Sequence, residues 1–173
     1  KLAYAALFLA LCLVLPMLTG QIPPIGSMLL PMHIPVLLCG LVCGWQYGAA
    51  VGFVAPLLRS VLFGMPPMYP VAIAMAFELL TYGLVIGLVY RRMAQKGAAG
   101  VYAALLTAMV AGRLVWGVAE VVLLGLGGKA FTAQAFLAGA LLNAVPGIIV
   151  QLVLIPVVMA ALQKAGAVKE YAE

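Results

Sequence analysis

Charge is what this sequence has least of. Only 8% of its 173 residues are Asp, Glu, Lys or Arg, where soluble domains carry about a quarter. Chemistry-bearing motifs are missing as well. There is no HExxH, no GxSxG, no P-loop and no pair of aspartates. The sequence therefore reads as no enzyme. With nothing to cradle a nucleotide, a pump fuelled by its own ATP is excluded, and no cofactor is expected in this chain. The single histidine and three cysteines do not complete a zinc site. Cys12 lies in the first apolar run, and Cys39 and Cys43 share one helical face at i, i+4; all three read as reduced thiols used as small apolar side chains. No basic cluster with interleaved aromatics points to nucleic acid. No long polar run could fold as a separate soluble domain.

What is present is apolar. The chain is 67% hydrophobic with a mean hydropathy of +1.25, the composition of an integral membrane protein. The expected fold is all-α: one membrane domain over 1–173 with six transmembrane helices. Glycine and proline clusters divide it into spans at about 2–19, 28–43, 49–63, 71–90, 98–126 and 133–162. The first run has little charge before it and no clear cleavage site, so it reads as a span rather than a signal peptide. An even number of spans places both termini on one side. Lys1, Arg91, Arg92, Lys96, Lys164 and Lys169 then share that side and only Lys129 faces the other. The positive-inside bias makes the first side cytoplasmic. The second and third spans, at roughly 22 Å each, fall short of a hydrocarbon core of about 30 Å. Interrupted backbone at that depth is tolerated only under cover of protein or beside a cavity.

Four ionisable residues fall within spans: Arg59, Glu78, Arg113 and Glu120. Each is costly there and is expected to face the protein interior or a watery cavity. At helical rise, Arg59 lies about 7 Å below the outer surface, Glu120 about 10 Å, Glu78 about 12 Å and Asn143 about 15 Å. His33 lies near the outer end of the second span and Arg113 near the midplane. Such convergence on the outer half fits a pocket open to the outside better than a relay or channel strung across the membrane. Structural roles compete at each position. Arg59 with Glu78, or Arg113 with Glu120, could be ion-pair staples. Asn143 could be an interhelical hydrogen bond, and His33 could cap backbone groups freed by Pro35. Tyr82 and Trp116 either line the pocket or pack elsewhere.

The first span carries Ala6 and Ala10 on one face, a small-xxx-small strip that allows close approach of another helix. Packing within the chain and docking onto a partner both suit it. With the block PMHIPVLLCGLVCGWQYGAAVGFVAPLLRSVLFGMPP and the six-span plan, this AxxxA strip resembles the substrate-binding S components of energy-coupling factor (ECF) vitamin transporters across nearly the whole chain. The resemblance implies a subunit that captures a vitamin or vitamin precursor outside a prokaryotic plasma membrane. It implies Ala6 and Ala10 as a docking surface for a membrane scaffold driven by two cytosolic ATPases, the subunits that use the ATP. It implies a lid at Ile22, Pro23, Pro24 and Ile25. It makes Glu78, Glu120, Arg113 and Asn143 pocket residues, with Arg59 at the edge and His33, Tyr82 and Trp116 as further candidates. Two arginines make an anionic vitamin such as pantothenate a modest favourite. Two glutamates equally suit pyridoxine, a thiamine precursor or riboflavin. A self-sufficient secondary transporter or channel is the main alternative, although no inverted repeat with matched broken helices is visible. A membrane assembly factor without a ligand is a third.

Overall fold

Apolar runs become helices here, and they end where glycine or proline interrupts the backbone. The computed structural model describes residues 1–18, 29–93 and 97–168. Helix α1 is Leu2–Leu18, α2 His33–Cys43 and α3 Trp45–Phe63. A kinked turn, Met68–Ala72, in which Tyr69 is extended, leads into α4, Ile73–Met93. Helix α5 is Ala98–Leu126. The last span is α6 (Ala133–Leu137), a π-helical turn (Ala138–Leu142) and α7 (Val145–Lys164). No strand occurs among the described residues. Four helical stretches are long and apolar enough to cross a membrane: Trp45–Phe63, Met68–Met93, Ala98–Leu126 and Ala133–Lys164. Helices α1 and α2 are shorter and apolar.

Two boundaries differ from those expected. The break between the second and third spans is not the stretch 44–48 but Gly44 alone. Its φ of 100° reverses the chain in one residue, a conformation that glycine adopts readily. Trp45 starts α3 at once, with the Gly48 amide bonded to the Gly44 carbonyl at 3.0 Å. Helix α2 starts at His33, after a break at Leu30, rather than running on from about residue 28. Leu30 precedes Pro31, which disfavours the right-handed helical region, and it sits at φ 50°. The proposed lid, Ile22 to Ile25, lies outside the described residues.

The centre of the bundle is α2, α3 and α4, and glycines set its spacing. A Cβ on Gly83 of α4 would overlap the Gly48 carbonyl of α3, and one on Gly52 would overlap the Leu79 carbonyl. The α3 and α4 backbones therefore lie in direct contact. Helix α1 packs on α2 and α3 through Ala5, Phe8, Cys12 and Pro16. Helix α5 covers α4, and α7 packs on α5 and α2. Leu37, Leu41, Leu79, Ile86, Leu105 and Ile155 fill the core. The last span is peripheral. Within its most apolar stretch 22% of residues are buried, against 50% for Met68–Met93. Its exposed Leu141, Leu142, Ile149 and Val153 face where lipid lies around a membrane protein.

One end of the bundle gathers basic residues. The Cys43 thiol bonds the Lys1 carbonyl at 3.7 Å, and Gly87 packs on the Trp45 backbone. The Gln163 amide donates to the Tyr90 hydroxyl at 3.0 Å. Lys1, Arg91, Arg92 and Lys164 thus share that end.

Candidate functional site

Helix α2 is only 11 residues long, so its first residue reaches only part of the way across the bundle. That residue is His33. On α4, Glu78 and Tyr82 are one turn apart and both buried. On α5, Arg113, Trp116 and Glu120 fall at i, i+3 and i+7 on one face. Packing α4 between α2 and α5 brings these stripes together.

Glu78 is the hub. Its Oε1 lies 3.0 Å from an Arg113 Nη1 and 3.2 Å from His33 Nε2. The Glu78 and His33 side chains are each 2% exposed and Arg113 is 13% exposed. A buried carboxylate is tolerated when an opposite charge and hydrogen bonds meet it, and both do here. Tyr82 meets His33 edge-on with ring centroids 5.1 Å apart. Its ring also lies against Gly112, where a Cβ would collide with it. The pairing leaves atoms over. His33 Nδ1 and Arg113 Nε and Nη2 are buried with no hydrogen-bond partner among the described residues.

Glu120 is buried two turns along α5, and neither ion pair among the described residues includes it. Between it and Arg113 stands Trp116, 5.8 Å from the Arg113 guanidinium carbon. Phe131 meets the Trp116 ring edge-on at 5.7 Å, and Phe136 stacks on it at 6.1 Å. Glycines make room for the rings: Trp116 rests on Gly139, and Phe136 on Gly117. A flat apolar wall thus adjoins the ionic cluster. An apolar groove of about 350 Å3 between Leu114, Val118, Phe131 and Phe136 lies beside this wall. It contains no charged residue and opens past side chains that are themselves exposed, so it is a lipid-facing crevice rather than the candidate site.

The remaining candidates fall elsewhere. Arg59 donates to the Leu13 carbonyl at 2.6 Å and lies over Phe63 at 5.3 Å. It ties α3 to α1 rather than pairing with Glu78. Arg113 likewise pairs with Glu78 and not with Glu120. Asn143 is exposed at the break before α7. Ala6 and Ala10 are exposed on α1, opposite its packed face. Gln151 of α7 is fully buried, and neither its amide nitrogen nor its oxygen has a partner among the described residues. The sequence reading singled out Asn143 in this span and passed over Gln151. It is nevertheless the one strongly polar side chain in VPGIIVQLVLIPVVMAAL.

Four helical stretches long and apolar enough to cross a membrane, with a buried ionic cluster among the helices, fit a multi-pass membrane protein. The family model described as ECF transporter, substrate-specific component, matches residues 1–159, and the chain belongs to that family. It is a substrate-specific membrane subunit of an ECF transporter. No curated protein matches the chain, and no solved structure does.

Proposed function

We propose that this subunit captures a small vitamin-like molecule at the Glu78–Arg113–His33 cluster and delivers it by docking on the transporter's scaffold. Both termini then lie on the cytoplasmic side of a prokaryotic plasma membrane, and capture is from outside. The observation that carries the reading is the incomplete neutralisation of the cluster. Glu78 satisfies one nitrogen of Arg113 and one of His33, while the remaining nitrogens of both stay buried without a partner among the described residues. Unmet buried polar atoms each cost about 1–3 kcal/mol. A polar ligand seated there supplies the missing partners, beside the apolar wall that Trp116 forms with Phe131 and Phe136.

The charge balance bears on what that ligand is. Arg59 is engaged with α1 and does not reach the cluster. Two carboxylates, Glu78 and Glu120, then stand against one guanidinium. With Arg113 already paired to Glu78 and Arg59 bonded to the Leu13 carbonyl, a neutral or amine-bearing ring compound such as pyridoxine, a thiamine precursor or riboflavin suits the cluster better than an anion such as pantothenate. Mass spectrometry of small molecules released from the purified chain tests the proposal. One such compound is expected at near-stoichiometric amount. Ion-coupled flux by this chain alone in liposomes, with no bound compound, would sink it.

A further inference from the structure

The hydrogen bond between Gln163 and Tyr90 fixes the register of α7 against α4. Both helices run toward the basic end. Twelve residues back from Tyr90 is Glu78, and twelve residues back from Gln163 is Gln151. At one rise per residue both lie about 18 Å from that shared level. By this count Gln151 lies within about one helical turn of the depth of the ionic cluster. It also faces inward, as one of the strictly i, i+4 buried positions Gly147, Gln151, Ile155 and Met159. The helices that α7 packs against are α5 and α2, which carry Arg113 and His33. The site's unmet polar atoms thus come from three helices: His33 Nδ1, Arg113 Nε and Nη2, and both ends of the Gln151 amide.

An amide buried at both ends inside an apolar helix destabilises the empty protein. A leucine of similar volume would pack there without that penalty. Among the described residues no hydrogen-bond partner holds the amide in place. The geometry points to Gln151 as a specificity-determining residue of the binding site. Its carboxamide donates to and accepts from one edge of the ligand, opposite the Glu78–Arg113 pair. The matching ligand is a small ring compound whose edge carries a donor next to an acceptor, such as an amino group beside a ring nitrogen or a hydroxyl beside a carbonyl. This assignment rests on the cluster being the substrate site.

The test compares full-length wild type with Gln151→Leu and Gln151→Glu in detergent, stripped of bound molecules. Pyridoxine, thiamine, riboflavin and pantothenate serve as probes in thermal unfolding and calorimetry. Gln151→Leu is expected to unfold at the same or a higher temperature without compound. It should bind the preferred probe about tenfold or more weakly. Gln151→Glu should change the order of preference among the probes. Unchanged affinity in Gln151→Leu, or a lower unfolding temperature of its empty form, overturns the assignment. If Glu78→Gln and Arg113→Met weaken binding while Gln151→Leu does not, the site stands and only the role of Gln151 falls. If wild type binds no probe and releases no small molecule, the proposed function falls and the role of Gln151 with it.

Discussion

At the scale of single residues, the question is why a chain so poor in charge keeps Glu78 and Arg113. Each is the other's condition for being buried. Removing one partner of a buried pair leaves an uncompensated charge and costs about 3–5 kcal/mol, whereas replacing both with apolar groups is often near neutral. Glu78→Gln and Arg113→Met should therefore each lower thermal stability clearly, and the double variant should recover most of the loss. Both singles and the double should lose ligand binding. Thermal unfolding of the three variants in one detergent, read as a double-mutant cycle, checks this. Additive losses would mean that the 3.0 Å contact contributes nothing. The sequence made both residues conspicuous, because an ionisable side chain in a span has few structural roles. It did not disclose their pairing. Arg59 was as plausible a partner for Glu78 by depth, and only the packing of α1 on α3 brings the Leu13 carbonyl to Arg59 instead.

At the scale of elements, the bundle depends on how closely α3 and α4 approach. Gly48, Gly52 and Gly83 let backbone meet backbone, and no side-chain adjustment there can absorb an added methyl. Gly83→Ala should cost about 1–3 kcal/mol or more, as overpacking does. Gly125, also helical, has nothing near its missing Cβ, so Gly125→Ala should be neutral or stabilising by about 0.5–1 kcal/mol. Unfolding midpoints of the two variants measured together decide it, and equal effects would contradict the seam. Apolar helices were legible because a bilayer imposes length and apolarity, and four of the six expected spans correspond to helical stretches long and apolar enough to cross one. Helix α5, Ala98–Leu126, falls where composition placed it. Boundaries beside glycine were less legible. GWQYG reads as a five-residue link, yet one residue at positive φ suffices, and the rest joins α3. The kinked last span was also hidden, because its break at Ala144 is marked only by Pro146 two residues later.

At the scale of the whole molecule, one subunit has to satisfy two surfaces that share no residues. The ionic cluster, the proposed ligand site, is enclosed by α2, α4 and α5. The α1 strip is turned away from it, with Ala5, Phe8 and Cys12 packed inward while Ala6 and Ala10 stay exposed. If that strip is the docking surface, capture and delivery are separable by mutation. Ala6→Trp and Ala10→Trp put bulk where close helix approach needs small residues, yet at exposed positions the added rings displace nothing in the fold. The purified variants should bind ligand as wild type does and unfold within a degree or two of it. Uptake by cells that also make the scaffold and ATPases should fall by about tenfold or more, because a clash at a packed interface is worth well over 1 kcal/mol. Co-purification of the scaffold should fall with it. Full uptake in the double variant would place docking on another face. Loss of ligand binding along with uptake would instead mean that α1 supports the site through its contact with α3, through Arg59 and the Leu13 carbonyl.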